Sequence, residues 1–233
     1  MRHPVLMFSM TEGKPPVEPL PAATVLVIRD SDAGPLVLLL KRHHELAFMP
    51  GAWVFPGGKV DADDAGNNDE ERARSAAVRE VHEEAGIRIA SNQLLTFSHW
   101  LTPEGVNRRF STFFFVAAVT GEPTVTVCGS EIVDHQWIAP EAALAQHLKG
   151  QLPMPPPTYV SLCELACHRS LRELWGNVAA RVPPRFFPKV IPQQGNLCFL
   201  YEGDAGYVTG DPSALDLRHR TMMVDGILDY QRD

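Results

Sequence analysis

One stretch of nine residues, Arg79–Ile87, constrains this chain more than any other. It reads Arg-Glu-Val-His-Glu-Glu-Ala-Gly-Ile, and its composition favours a helix that ends at Gly86, the residue type most common just past a helix. Each helical residue advances by about 100° around the axis. Glu80, Glu83 and Glu84 are therefore related by three- and four-residue spacings, so the pattern gathers three carboxylates on one helical face.

Three neighbouring carboxylates need a compensating charge or a proton. Two carboxylates about 5 Å apart repel each other by roughly 3 kcal/mol at an effective dielectric constant of 20, so one takes up a proton or a cation lies among them. Oxygen ligands suit Mg²⁺ or Mn²⁺, and such an ion can orient a diphosphate and lower the pKa of a bound water. The alternative is a solvated acidic helix face. The preceding Arg79 and the tight turn at Phe55–Gly58 favour the metal site.

This pattern resembles the Nudix box, which has Gly, five residues, Glu, seven residues and then Arg-Glu-apolar-x-Glu-Glu-x-Gly-apolar. Residues 79–87 match the second half at every position, and Glu71 lies eight positions before Arg79, as the box requires. The first half departs from the pattern, because twelve residues (59–70) separate Gly58 from Glu71. The acidic stretch Asp61–Asp69 is therefore interpreted as a lengthened loop, which leaves the placement of Glu71 open.

The resemblance implies a role for each matching residue. Glu80 and Glu84 are expected to be the main metal ligands, with the carbonyl of Gly58 as an additional one. Glu83 is expected to be a further ligand or the base that activates water. The expected cofactor is Mg²⁺ or Mn²⁺.

The resemblance also implies roles for two further residues, Arg79 and Glu131. Arg79 is expected to hold the glutamates in place, pairing with Glu71, which helical projection places nearly opposite Glu80. Family members often draw another acid from a later loop, and Glu131 is the candidate for this ligand or base, although it can also be an ordinary surface residue.

Four segments are similar to the coenzyme A (CoA) diphosphatase branch of the family, particularly its acyl-CoA type. They are Leu38–Arg42, Pro50–Gly58, Trp100–Pro103 and Arg108–Thr112, and the resemblance spans about residues 20–175. It implies hydrolysis of CoA or acyl-CoA to 4′-phosphopantetheine, or its acyl form, and adenosine 3′,5′-bisphosphate.

Arginines and aromatic residues near these segments suit such a substrate. Arg42, Arg108 and Arg109 can meet phosphates with paired donors, or they are surface arginines that flank strands. An adenine ring can stack on three aromatic residues that are otherwise core residues of strands: Trp53, Trp100 and Phe110.

Two other functions stay open. The same box serves diphosphatases for ADP-ribose, dinucleotides and other nucleoside diphosphate derivatives, because a fold does not fix its substrate. A ligand-sensing module without catalysis is the third hypothesis. It is expected to lose glutamates of the box or to carry a DNA-binding appendage, whereas Glu80, Glu83 and Glu84 are all present.

Composition limits the class of partner. The net charge of −7 disfavours a nucleic-acid-binding protein, so a small-molecule substrate is expected. No apolar run approaches the ~18 residues that span a bilayer, so no membrane partner is expected. Four scattered cysteines favour reduced thiols in a cytoplasm. Whether two copies pair as a homodimer stays open.

The element pattern predicts an α/β/α sandwich with a mixed β-sheet. Residues 1–22 form an extended N-terminal segment, 23–150 the Nudix domain, and 151–233 a C-terminal helix and irregular extension packed on that domain. The predicted helices include 70–85, 140–149 and 159–175. The predicted strands are 23–29, 36–41, 94–101, 109–120, 124–127, 132–138 and 197–202.

Overall fold

The computed structural model describes residues 17–233, so most of the expected N-terminal segment, residues 1–16, lies outside the described residues. Its main sheet contains β1 (Leu20–Arg29), β2 (Leu36–Arg42), β3 (Trp53–Val54), β4 (Gly57–Lys59), β5 (Leu95–Leu101), β6 (Phe110–Val119), β7 (Ile132–Ile138) and β8 (Arg185–Phe186). Six strands follow the order β3-β2-β1-β6-β5-β8, while β4 pairs with β1 and β7 pairs with β2. Because β1/β6 and β5/β8 are parallel and the other pairs are antiparallel, the sheet is mixed, as predicted.

Alternation along the strands divides the interior into two cores. Successive strand residues point to opposite faces, so Val25 and Val27 enter one core, while Leu26 and Ile28 enter the other. Both faces are covered by helices, which confirms the α/β/α arrangement.

Helix α1 (Asp69–Ala85) covers the first face. Its buried side is made mostly of alanine, with Ala73, Ala77 and Val81 among the fully enclosed residues, so the helix axis can approach the sheet closely. Asn68 caps its start by accepting a hydrogen bond from the Glu71 N–H, and Gly86 ends it with a φ of 69°. Both ends agree with the predicted helix to within one residue.

Helices α2 (Pro140–Leu148), α3 (Pro156–Leu165) and α4 (Leu171–Ala180) contribute to the core on the second face. The prediction of a single helix over residues 159–175 was wrong. The chain turns after α3, and the side chain of Ser170 caps a new helix by accepting a hydrogen bond from the Glu173 N–H. A serine at this position stabilises a helix start, which the apolar pattern alone did not reveal.

The C-terminal extension is more regular than predicted. A second, antiparallel sheet is built from β9 (Lys189–Gln193), β10 (Asn196–Leu200), β11 (His219–Val224) and β12 (Ile227–Arg232). Two tight turns form its hairpins, each with positive φ at two successive residues: Gln194-Gly195 and Asp225-Gly226. Asp-Gly is a strong hairpin signal.

The predicted strand at residues 124–127 is absent among the described strands. The Thr126 N–H donates instead to the carbonyl of Ala85, over the last turn of α1. The segment therefore satisfies a free carbonyl at a helix end rather than extending the sheet. No helix within residues 17–233 combines the length and the apolar character needed to cross a bilayer.

Candidate active site

The turn that leads into β4 brings backbone against two glutamates of α1. The Gly57 N–H donates to Oε2 of Glu84 over 2.9 Å. A Cβ on Gly58 would fall on the carboxylate of Glu80, so only glycine fits there while that carboxylate keeps its position. The Pro-Gly-Gly turn and the helical face, which are distant in sequence, thus form one site.

Both glutamates are shielded from solvent, and Glu84 is only 6% exposed. Burial raises the pKa of Glu84 to about 8, with a further contribution from the charge of Glu80 and an opposing one from the Gly57 N–H. Burial also raises the pKa of Glu80, although Arg79 counteracts it. The site therefore holds two carboxyl groups whose ionised forms need a nearby cation.

Arg79 is the centre of the charge network, but its partner was predicted wrongly. Its Nε and Nη2 donate to the two carboxylate oxygens of Asp64 over 3.2 and 2.9 Å. Its Nη1 donates to Glu80 over 2.8 Å and to Glu83 over 3.3 Å. The expected partner, Glu71, instead accepts hydrogen bonds from the backbone and side chain of Asn67, because it lies at the first turn of α1.

The long acidic loop is folded onto the helix. Arg72 donates to the carbonyl of Asp61, and the hydroxyl of Ser75 donates to the carbonyl of Ala65. Asp64 is 8% exposed. Burial acts to raise its pKa, but the hydrogen bonds and charge of Arg79 outweigh this and lower it. The insertion therefore supplies a buried counter-charge to Arg79.

A polar cleft of about 720 Å³ opens over these residues. It brings together most of the predicted site residues: Arg42, Gly58, Arg79, Glu80, Glu83, Glu84, Arg108 and Glu131. Arg108 lies 5.2 Å from the ring of Phe110, and Arg42 Nε donates to the carbonyl of Phe48. Glu131 is exposed, and its carbonyl accepts a hydrogen bond from the His43 N–H.

Arg109, which was predicted to bind substrate, does not line this cleft. It is 5% exposed, and its guanidinium donates to the carbonyls of Thr102 and Val17. Arg109 directly precedes β6, and its guanidinium holds two chain segments together.

The three aromatic residues have different positions. Trp53 and Trp100 are buried in the core, and the indole of Trp100 stacks on Phe186 of β8 at 4.0 Å. Phe110 is half-buried and lines the cleft. Of the three aromatic residues, only Phe110 lines the polar cleft.

The residue pattern did not identify several groups at this site. Asp61 and Asp64 were interpreted only as loop residues, although two arginines seven positions apart on α1, Arg72 and Arg79, are a signal for acidic partners. The exposed Cys128 also lines the cleft, and it gave no signal in the sequence. Burial acts to raise the pKa of its thiol, but hydrogen bonds from the loop at residues 130–132 lower it.

The donor set fits a hard divalent cation. Glu80 and Glu84 offer shielded carboxylate oxygens of the kind that Mg²⁺ and Mn²⁺ prefer. Across residues 17–233 no group of three His, Cys, Asp or Glu side chains already converges on one metal position. The guanidinium of Arg79 bonds to both Glu80 and Glu83, so it supplies the positive charge between these two carboxylates.

Comparison with known proteins identifies the family of this chain. The family model described as NUDIX domain matches residues 18–157, which is more than half of the chain. The putative nudix hydrolase 7 of Caenorhabditis elegans is 30% identical over 228 residues, covering 82% of this chain and 75% of that protein. The chain therefore belongs to the Nudix family. It is a hydrolase of diphosphate bonds in nucleotide derivatives, a class that generally uses divalent metals.

Two further relatives carry a more specific name. Acyl-coenzyme A diphosphatase NUDT19 of Xenopus laevis is 24% identical over 227 residues, covering 57% of this chain and 60% of that protein. Its Homo sapiens counterpart is 31% identical over 120 residues, covering 49% of this chain and 32% of that protein. A NUDIX hydrolase structure from Alicyclobacillus acidocaldarius shares the fold, with a TM-score of 0.59, 24% identity and coverage of 67% of this chain and 95% of that one.

Proposed function

We propose that the protein hydrolyses the diphosphate bond of CoA or acyl-CoA, releasing 4′-phosphopantetheine or its acyl form and adenosine 3′,5′-bisphosphate. The observation that carries this proposal is one cleft that combines the shielded Glu80 and Glu84 with the cations Arg42 and Arg108. The similarity to acyl-coenzyme A diphosphatases supports the choice among nucleotide substrates.

The proposed cofactor is Mg²⁺ or Mn²⁺. When bound, such an ion neutralises charge on the diphosphate and lowers the pKa of a water molecule. Glu80 and Glu84 are its proposed main ligands, supported by their burial beside each other, with the carbonyl of Gly58 as an additional one. Arg79 positions the glutamates, because Asp64 fixes one side of its guanidinium and leaves Nη1 for Glu80.

Two carboxylates are proposed as alternatives for the base that takes a proton from water. Glu83 bonds weakly to Arg79, at 3.3 Å, and its side chain is 57% exposed where it lines the cleft. Glu131 reaches the cleft from the loop before β7 and is also exposed. Substitution of each in turn separates them, since only loss of the base should abolish the acidic limb of the pH–rate profile.

Arg42 and Arg108 are the proposed phosphate contacts. CoA carries a diphosphate and a 3′-phosphate, and a guanidinium can offer each phosphate two donors. Arg109 is not retained in this role, because its donors already serve Thr102 and Val17.

The test is a substrate panel with Mg²⁺: CoA, an acyl-CoA, ADP-ribose, NADH and a nucleoside triphosphate, with products separated by chromatography. Preferred release of adenosine 3′,5′-bisphosphate, lost in Glu84→Gln and kept in the exposed Glu141→Gln control, supports the proposal. Preferred cleavage of ADP-ribose or NADH keeps the Nudix chemistry and rejects CoA. Metal binding without turnover of any diphosphate favours the sensor hypothesis.

A further inference from the structure

A second cavity of about 190 Å³ adjoins the polar cleft, and we call it the apolar chamber. The two spaces share wall residues on one side: Thr24, Arg42, Phe48, Gly57, Phe110 and Thr112. A ligand that has its charged part over the glutamates can therefore extend into the chamber without crossing the protein interior.

The wall of the chamber is mostly apolar, and its charge is confined to one side. Among its described lining residues Arg42 is the one charged side chain, and it stands on the side shared with the cleft. The rest of the wall is dominated by aromatic and aliphatic groups, including Trp100, Leu101, Phe114 and Phe199. Binding energy in such a space comes mainly from removing apolar surface from water.

The far wall is formed by the C-terminal part of the chain. Pro156 and Thr158 come from the start of α3, Pro188 from the segment before β9, and Phe199 from β10. Phe199 is 2% exposed and Trp100 is 4% exposed, and both belong to one continuous core cluster with Tyr201. The chain beyond residue 150 thus supplies one wall of the chamber, with Phe199 as the contribution of the second sheet.

We infer that this chamber binds an uncharged apolar limb of the substrate, a thioester-linked acyl chain, while the diphosphate lies over the glutamates. The inference rests on the proposed function and goes further, because it assigns chain-length selectivity to the wall residues Leu101 and Phe199. An adenine ring is the less suitable occupant, since its ring nitrogens and amino group need several polar partners and the chamber wall is mostly apolar.

The first arm of the test is a chain-length series on the wild-type protein: CoA and saturated acyl-CoA esters of 2, 4, 8, 12 and 16 carbons, each below its micelle concentration. Each buried methylene group should raise kcat/KM by about threefold to fourfold, until the chamber is full and the gain stops. The same series, titrated calorimetrically in EDTA, should show tighter binding and a more negative heat-capacity change with length.

The second arm of the test reduces the free volume of the chamber by a substitution in its wall. Leu101→Trp adds bulk to a half-buried wall residue that does not line the polar cleft. The variant should reach its plateau at a shorter chain and cleave unacylated CoA within about twofold of the wild-type rate. The matched control is Leu148→Trp, at a 59% exposed position outside the chamber, which should leave the whole series unchanged.

The outcomes distinguish a failure of the proposed function from a failure of the acyl-chain assignment. If neither CoA nor any acyl-CoA is cleaved or bound, the proposed function itself is rejected. If CoA is cleaved but chain length changes neither kcat/KM nor binding, the chamber does not hold the acyl chain. If Leu101→Trp lowers kcat/KM for unacylated CoA as strongly as for the long esters, the chamber holds a part that CoA itself carries, and the inference is overturned. An equal loss with ADP-ribose then assigns the chamber to the nucleotide, and no loss with ADP-ribose assigns it to the pantetheine arm.

Discussion

The guanidinium of Arg79 is held by Asp64 through two parallel hydrogen bonds, of 3.2 and 2.9 Å. This two-point contact fixes the plane of the guanidinium, so that its Nη1 lies 2.8 Å from Oε1 of Glu80. A residue of the long loop thereby determines how a residue of the cleft is oriented.

Asp64→Asn should therefore weaken metal binding and turnover, although Asp64 contacts Arg79 and not the glutamates proposed as metal ligands. The neutral amide cannot match both donors, so we expect a tenfold to hundredfold loss of metal affinity or kcat, as is usual for groups that orient ligands. Calorimetric titration with Mn²⁺ measures the affinity directly. Asp63→Asn, at an exposed neighbouring position, is the control and should behave as wild type. Equal effects of the two substitutions would argue against an orienting contact.

The glutamate face and the glycine turn were predictable, because their signals are local. The helical spacing of Glu80 and Glu84 and the left-handed position of Gly86 follow from backbone geometry alone. The partner of Arg79 was not predictable in this way, since Asp64 reaches it only after the loop has folded back through Arg72 and Ser75. Arg109 illustrates the same limit, because its carbonyl partners on Thr102 and Val17 are brought to it only by the folded chain.

The C-terminal sheet shows what short-range patterns leave out. Its strands are five or six residues long and pair with one another, and Tyr201, directly after β10, packs edge-on against Trp100, which lies far away in sequence. The Asp225-Gly226 turn was a usable signal, but a single hairpin does not reveal the sheet around it.

The raised pKa of Glu84 predicts how the metal-free protein responds to pH. The folded state binds the proton more tightly than the unfolded state, so the stabilisation is complete below the unfolded pKa of about 4.5. It is lost as the pH rises toward the folded value of about 8. In EDTA Glu84 should therefore lower the melting temperature progressively between pH 5 and pH 8, which appears as the difference between the wild type and a variant without this carboxyl group.

Glu84→Gln tests this assignment. The variant should show a shallower fall of melting temperature and should exceed the wild type at pH 8 in EDTA, because no buried charge has to form. Excess Mg²⁺ should raise the wild-type melting temperature at pH 8 and leave the variant nearly unchanged. Glu83→Gln, which retains Glu84, should keep the wild-type slope. A wild-type slope in Glu84→Gln would assign the titration to another group.

His147 predicts a second pH effect, in the opposite direction. The Leu228 N–H donates to its Nε2 over 2.9 Å, so Nδ1 carries the proton and donates to the carbonyl of Leu152. Burial lowers the pKa of His147, although the carbonyl of Leu152 opposes this. The unfolded state then binds more protons below about pH 6.5, so stability should fall as the medium becomes more acidic.

The His147→Gln variant should lose part of this acid sensitivity. One proton difference corresponds to a slope of about 1.4 kcal/mol per pH unit at most, and urea titrations between pH 5 and pH 7.5 measure it. The burial-lowered pKa values of His99 and His219 act in both proteins, so the difference isolates His147. His135→Gln, at an exposed position, is the control. Parallel stability curves for wild type and His147→Gln would show that the pKa of His147 is not lowered by folding.

The two glycines of the turn should respond differently to alanine. A Cβ on Gly57 would fall on the backbone of β1, at the carbonyl of Ala23, whereas a Cβ on Gly58 would meet only the Glu80 carboxylate among its nearest atoms. Gly57→Ala should therefore destabilise the fold by about 1–3 kcal/mol. Gly58→Ala should melt near the wild-type temperature in EDTA, because a side-chain end can move, yet lose at least tenfold in Mn²⁺ affinity.

Gly176→Ala completes this comparison, because it places the same methyl group in open space within α4. Alanine is the better helix former, so this variant should gain about 0.5–1 kcal/mol and keep full metal affinity. Thermal melts with and without Mn²⁺ separate the three cases. If Gly58→Ala loses stability as Gly57→Ala does, Gly58 supports the fold. If it loses Mn²⁺ affinity alone, the glycine is required because it leaves room for the Glu80 carboxylate.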